Sequence, residues 1–197
     1  MLYACATCVN VWKTAHTSFL DRVLTSNGFR LLSLCWEAIE LLKDDPDHFT
    51  WGGFKAFANS LVSVLQNQGV KKVHIFSDST VDFHNWTKEW KTRHGAAHKY
   101  LRSCLTNASI ECKLDSWSGS GFVQASTFSE RARETVQTGW DVLVVGGWND
   151  TACERVDVKS GVRDMVEACS GPRCPPRRLR RETQSQQNGK RKRSTGA

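Results

Sequence analysis

Proline and long apolar runs are both scarce in this sequence. Only four of the 197 residues are proline. No apolar stretch approaches the roughly 20 residues that a helix needs to cross a bilayer, so a membrane-spanning protein is excluded. Apolar residues nevertheless make up 40% of the chain and charged residues 24%, which is typical of a soluble globular protein. The length is that of one ordinary domain.

Positive charge is missing from most of the chain. The formal net charge is +7, but residues 172–197 hold nine basic side chains against one acidic side chain and so carry +8. The remaining 171 residues carry −1, so they lack the basic surface of a typical nucleic-acid-binding domain. Residues 172–197 also include a Gln/Ser/Asn stretch without apolar side chains, which predicts a disordered basic tail.

The role of this basic tail has three interpretations. Its KRKR cluster at residues 190–193 is typical of a nuclear-import signal, and equally of a weak contact with a polyanion. A solvated tail with no dedicated role is the third interpretation. The sequence therefore predicts no nucleic-acid partner except through a weak contact of residues 172–197.

The cysteines do not form a zinc motif. Of the eight cysteines only Cys5 and Cys8 have C-x-x-C spacing, and no second pair completes a tetrahedral site. We therefore expect no metal and no other cofactor. Residues 1–12 lack the basic region that opens a signal peptide. Both observations favour a reducing, intracellular location, either cytoplasmic or, through the KRKR cluster, nuclear.

Segments typical of strands and helices alternate along residues 1–171. Short β-favouring runs predict five strands, and segments with apolar residues at helical spacing predict the helices between them. This alternation predicts a three-layer α/β/α sandwich around a mostly parallel sheet. The predicted strands are Leu2–Val11, Phe29–Trp36, Val70–Phe76, Ser109–Leu114 and Trp140–Val145. The predicted helices are Lys13–Thr25, Asn85–Leu105, Phe128–Gln137, Arg155–Ala168 and one from Gly52 or Gly53 to Gly69.

Polar loops follow the predicted strands, and the carboxyl ends of parallel strands meet at one edge of a sheet. Ser79 lies in the turn after Val70–Phe76, where its hydroxyl is exposed beside helix N–H groups, as a nucleophile requires. Gly119-Ser120-Gly121 lets a backbone N–H approach a substrate oxygen. Taken alone, each loop is equally an ordinary turn.

Two further loops carry chemistry. Asn149 closely follows the strand Trp140–Val145, and its amide can donate to a developing oxyanion. Asp45 stands three residues before His48, so its carboxylate can hold the imidazole in the tautomer that accepts a proton. Asp47 is the fallback for Asp45. A lone D-x-x-H also arises readily by chance.

Together the four loops resemble the sequence blocks of the SGNH (GDSL-like) hydrolase family. The matching segments are IFSDSTVDF for the G-D-S block, SGSGF for the glycine block, VVGGWND for the G-x-N-D block and DPDHFTWGGFKAFANSL for the D-x-x-H block. The third and fourth match best. The resemblance extends from the first predicted strand to about Ala168.

This resemblance implies a serine esterase that needs no metal or other cofactor. Ser79 would be the nucleophile, His48 its base, and Asp45 the residue that orients His48. The Ser79 N–H would form the oxyanion hole with Gly121 and Asn149, and Gly119 is the alternative to Gly121. The implied substrate is a small-molecule, carbohydrate or lipid ester.

The sequence departs from the family in two ways. Ser77 replaces the glycine before the Asp-Ser pair, and the histidine block precedes the serine block. A circular permutation explains the order, with a short link at residues 66–69 joining the histidine block to the first family strand. Residues 1–171 then form one domain, in which 1–69 carry the His block and 70–171 the Ser, Gly and Asn blocks.

The predicted sheet is therefore five-stranded, flavodoxin-like and circularly permuted. Two alternatives stay open. In the first, the chain is a piece of a tandem array of such domains, and His48 of one copy meets Ser79 of the neighbouring copy. In the second, the chain is an inactive SGNH-like pseudoenzyme.

Overall fold

The computed structural model describes residues 1–5, 15–32, 34, 49–78, 81, 88–117, 119–124, 127–147 and 149–170. The strands are β1 (Leu2–Cys5), β2 (Arg30–Leu31), β3 (Lys72–Ser77), β4 (Glu111–Ser116) and β5 (Asp141–Val145). The helices are α1 (Ala15–Ser26), α2 (Trp51–Asn67), α3 (Lys88–Asn107), α4 (Phe128–Thr135) and α5 (Arg155–Ser170). A short 3-10 helix covers Asn149–Ala152.

The five strands form one parallel sheet in the order β2-β1-β5-β3-β4. The predicted α/β fold with a five-stranded parallel sheet is therefore confirmed. At the carboxyl end of β3, Ser77 is level with Ser116 on one side and with Val145 on the other. The loops that follow β3, β4 and β5 consequently leave the sheet side by side.

The strand order becomes regular when the numbering starts at β3. Counting β3, β4, β5, β1 and β2 as strands one to five gives 2-1-3-4-5 across the sheet. This is the order of a flavodoxin-like, doubly wound sheet.

Helices cover both faces of the sheet. On one face α2 and α3 bury Phe54, Leu61 and Leu101 against strand residues such as Ile75. On the other face α1, α4 and α5 pack against Phe76 and its neighbours. Adjacent residues of β3 thus point to opposite cores, as strand geometry requires, and the three-layer sandwich is confirmed. None of the described helices is long and apolar enough to cross a membrane.

Most of the observed element boundaries differ from the predicted ones by one to three residues. The strand expected to begin at Ser109 begins at Glu111, because Ala108 and Ser109 form the turn that ends α3, with Ser109 at φ 57°. The strand expected over Phe29–Trp36 is described as Arg30–Leu31 alone. The basic tail, 172–197, lies outside the described residues.

The two ends of the described fold lie close together. Met1 and Leu2 line the same cavity as Cys169 and Ser170, at the edge of the sheet where the strands begin. The loop between α2 and β3 is by contrast a simple exposed turn, in which Gly69 has φ +72°. A link that joins Ser170 to the start of β1, together with a break in the turn between α2 and β3, therefore leaves every packed helix and strand in place.

We therefore expect a rotated chain to fold. It runs from residue 70 to 170, continues through a Gly/Ser linker of about six residues, and ends with residues 1–69. Because it keeps every packed element, its free energy of unfolding in urea is expected within about 2 kcal/mol of the unrotated chain 1–170. Non-cooperative unfolding of the rotated chain, beside a cooperative unrotated control, contradicts this topology.

Candidate active site

The described part of the candidate site contains Gly121, Asn149 and the alternative glycine, Gly119. The other predicted members, Ser79, His48 and Asp45, lie outside the described residues, as does the fallback Asp47. Their roles stay predictions.

The first and third blocks are in direct contact. Asp78, the residue before Ser79, is 1% exposed, and its N–H donates to the Val145 carbonyl at 3.4 Å. A Cβ at Gly146 would lie 2.7 Å from Asp78 Oδ2. Only glycine allows this approach, so the first Gly of VVGGWND brings the block beside the serine turn.

The second and third blocks are joined by a buried carboxylate. Asp150 is fully buried; its Oδ2 accepts the Phe122 N–H at 2.8 Å and its Oδ1 the Val123 N–H at 2.9 Å. A Cβ at Gly121 would lie 2.6 Å from Asp150 Oδ1, so the glycine makes room for the carboxylate. Sequence reasoning did not assign Asp150 a role, although the Asn-Asp pair of the third block was the available signal.

Asn149 also reaches the glycine loop. Its Nδ2 donates to the Ser120 carbonyl at 2.8 Å, which leaves the second N–H of the amide for another acceptor. The Gly121 N–H makes no hydrogen bond to any described residue. It belongs to the same trans peptide as the Ser120 carbonyl, so the two groups point in opposite directions. In this conformation one oxyanion does not reach both Asn149 and the Gly121 N–H.

Gly119 differs from Gly121 in its surroundings. It has φ +79°, is exposed, and would have no atom within 4 Å of an added Cβ. Gly121 is buried against Asp150. Both glycines therefore stay candidates for the backbone donor.

A buried arginine links the ends of β3 and β4 to the glycine loop. Arg131 of α4 is 9% exposed and forms an ion pair with Asp115. Its Nη2 donates to Ser120 Oγ at 2.8 Å and to the Ser77 carbonyl at 3.4 Å. The burial of Arg131 was not predictable from the sequence, because an arginine in a highly charged helix is normally exposed.

A second serine and histidine are paired beside the candidate site. His98 Nε2 of α3 lies 2.5 Å from Ser116 Oγ at the end of β4. The adjacent Trp117 is 58% exposed. Among the described residues, no three His, Cys, Asp or Glu side chains come together as metal ligands.

A scan against protein-family models and searches of curated proteins and solved structures find no match to this chain.

The Asp150 contacts predict a large effect of its removal. Asp150→Ala leaves the buried Phe122 N–H and the half-buried Val123 N–H without their acceptor, which is expected to lower the free energy of unfolding by about 2–4 kcal/mol. Glu167→Ala, at an exposed position on α5, is the matched control and should change it by less than about 0.5 kcal/mol. Urea denaturation measures both. Equal stability of the two variants would show that Asp150 does not hold the loop.

His74 makes the fold sensitive to acid. It is 2% exposed on β3, with its ring stacked on Phe76 at 4.3 Å. Burial lowers its pKa from 6.5 to about 4; Asp115 opposes the shift, and Lys113 and Arg131 add to it. Because the folded-state pKa is depressed, the unfolded chain binds more protons between the two values, and stability falls as the pH falls through that window.

We expect the free energy of unfolding to decrease by up to about 3 kcal/mol between pH 6.5 and pH 4 through His74 alone. His74→Phe should remove that part of the slope. Urea midpoints of both proteins across this pH range test it. A slope that is identical in the variant would assign the acid sensitivity to other groups.

Proposed function

We propose that this chain is an SGNH-like serine esterase whose sequence blocks occur in circularly permuted order. The observation that carries the proposal is the meeting of three blocks at one edge of the sheet. Asp78 contacts Gly146, and Gly121 contacts Asp150. These contacts bring together the segments for which the family resemblance implies the nucleophile and the oxyanion donors.

The surroundings of the fourth block support the same site. Phe49, which directly follows His48, is buried in the same apolar cluster as Val81, two residues after Ser79. Thr50 then caps α2 by accepting the Gly53 N–H at 2.9 Å. A helix therefore begins directly after the D-x-x-H block, as the family resemblance implies. These positions favour a meeting of Ser79 and His48 within one chain rather than between neighbours.

The topology supports the permuted order. Numbered from β3, the sheet has the order of a flavodoxin-like fold, and the two ends of the described fold line one cavity. A short connection from Ser170 to Leu2, with an opening before β3, would restore the family order of blocks.

The proposed reaction is the hydrolysis of a carboxylic ester. Ser79 Oγ attacks the carbonyl carbon while its proton passes to His48, which Asp45 (or Asp47) orients. The Ser79 N–H, an N–H of Asn149 and the N–H of Gly121 or Gly119 stabilise the oxyanion. The ester C–O bond then breaks, and His48 returns the proton to the leaving alcohol. Water repeats the sequence and releases the acid.

The substrate is proposed only by class, as a small-molecule, carbohydrate or lipid ester. The mechanism requires no cofactor. A weak contact of residues 172–197 with nucleic acid stays a separate proposal, since that segment lies outside the described residues.

One observation favours a second candidate, an inactive SGNH-like protein. Asn149 already donates to the Ser120 carbonyl, and the Gly121 N–H points away from that contact. If Gly121 is the donor, activity requires the Ser120–Gly121 peptide or the Asn149 amide to rotate when substrate binds.

Labelling with a fluorophosphonate tests the proposed function. We expect the full chain to be labelled, and Ser79→Ala or His48→Ala to slow labelling by at least about 1000-fold, because each removes a member of the reacting unit. Ser116→Ala is the matched control, since Ser116 is a nearby serine that is also hydrogen-bonded to a histidine. Labelling that survives Ser79→Ala and disappears in Ser116→Ala would identify Ser116, and not Ser79, as the nucleophile.

The same variants separate a permuted domain from a tandem fragment. An equimolar mixture of Ser79→Ala and His48→Ala should stay inactive when both residues act within one chain. Recovery of labelling in the mixture would indicate a site formed between chains.

A further inference from the structure

Arg131 contacts three segments that the candidate site brings together. Besides its ion pair with the Asp115 carboxylate, its Nη1 donates to the Asp115 carbonyl at 3.0 Å. Its Nη2 reaches the Ser77 carbonyl at the end of β3 and the hydroxyl of Ser120 in the glycine loop. One guanidinium therefore connects β3, β4 and the loop that separates β4 from α4.

Two aromatic rings enclose the guanidinium. Its carbon lies 5.8 Å from the ring centre of Phe76 and 5.5 Å from that of Phe128. Rings at this distance favour a cation. The Arg131 side chain consequently contacts both apolar rings and oxygen acceptors, which together define its position.

Ser120 is fixed through each of its polar groups. Its Oγ accepts from Arg131 at 2.8 Å, its carbonyl accepts from Asn149 at 2.8 Å, and its N–H donates to the Trp117 carbonyl at 3.1 Å. Ser120 is thus held by three contacts, of which the one from Asn149 is made to the Ser120–Gly121 peptide itself. Of these contacts, the one to Arg131 is the only charge-assisted hydrogen bond, and such bonds are the stronger class.

We infer that Arg131 is a positioning residue of the proposed esterase, which holds Ser120 and so sets the positions of the Asn149 amide and of the Gly119 N–H, the glycine-loop donor that does not require the Ser120–Gly121 peptide to rotate. The inference rests on the proposed function. Arg131 is 9% exposed and its guanidinium contacts Asp115, Ser120 and the Ser77 carbonyl, so the inferred role is exerted through these residues. Its planar fork is needed because a lysine ammonium cannot hold Asp115 and Ser120 at once in this geometry.

The sharpest test is Ser120→Ala, which removes the loop contact and leaves the Arg131–Asp115 pair intact. We expect the rate of fluorophosphonate labelling and kcat for 4-nitrophenyl acetate to fall by about 10- to 100-fold, because displaced donors stabilise the oxyanion less. KM should change little, and Ser120→Thr, which keeps the hydroxyl, should restore most of the rate.

Ser129→Ala is the matched control. Ser129 is a buried serine of α4 whose hydroxyl lies 3.1 Å from Thr127 Oγ1. Its removal should leave both rates unchanged. A similar melting temperature for the two alanine variants would separate a positioning effect from a loss of folding.

Arg131→Lys completes the test through a double-mutant cycle. If Arg131 acts through Ser120, the double variant Arg131→Lys/Ser120→Ala should be little slower than Arg131→Lys alone. Amide hydrogen exchange adds a readout without substrate: the Phe122 N–H, which donates to Asp150, should exchange faster in Ser120→Ala than in Ser129→Ala.

The outcomes separate the two levels of the proposal. Wild-type protein that is not labelled would overturn the proposed function. Wild-type protein that is labelled, with Ser120→Ala labelled at the same rate, would leave the function standing and overturn the role of Arg131. Independent, additive effects of the two substitutions would also overturn it.

Discussion

The closure of the glycine loop over β5 depends on the Asp150 carboxylate. The Asp150 carboxylate has no access to solvent, and each of its oxygens accepts a hydrogen bond from a backbone N–H of a loop about 28 residues away in the chain. A buried carboxylate without such donors is strongly unfavourable, so the loop and the carboxylate fix each other. Gly121 leaves the space that this contact needs. The contacts of Ser120 with Asn149 and Arg131 require the same closure.

The candidate site is held by two compensated charges rather than by apolar packing alone. Asp150 is stabilised by hydrogen bonds from backbone N–H groups, whereas Arg131 is paired with Asp115 and has aromatic rings beside it. Breaking such a contact on one side is costly, because it leaves a buried charge without compensation. Such contacts also orient the loop, because hydrogen bonds to a carboxylate or a guanidinium have a preferred direction, whereas apolar contacts do not.

The sheet was predictable because its signals are local. Runs such as Trp140–Val145 are apolar over the length of one strand, and the order of strands then brings their loops to one edge. The position of Asn149 just after β5 was predictable from its motif, and its role as an oxyanion donor stays a prediction. The burial of Arg131 was not predictable, since it depends on Asp115 and Ser120, which lie 16 and 11 residues away and come together only in the folded chain. The pairing of Ser79 with His48 stays a prediction, because both lie outside the described residues.

The position of Ser170 determines where the basic segment joins the domain. α5 starts near the loops of the candidate site and ends beside Met1 and Leu2, at the opposite edge of the sheet. The segment 172–197, which carries +8, therefore follows a helix that ends at the edge of the sheet where the strands begin, whereas Asp78 and Asn149 lie at the edge where the strands end. An anionic surface that attracts this segment would therefore draw the domain toward it by the edge of the sheet opposite the candidate site.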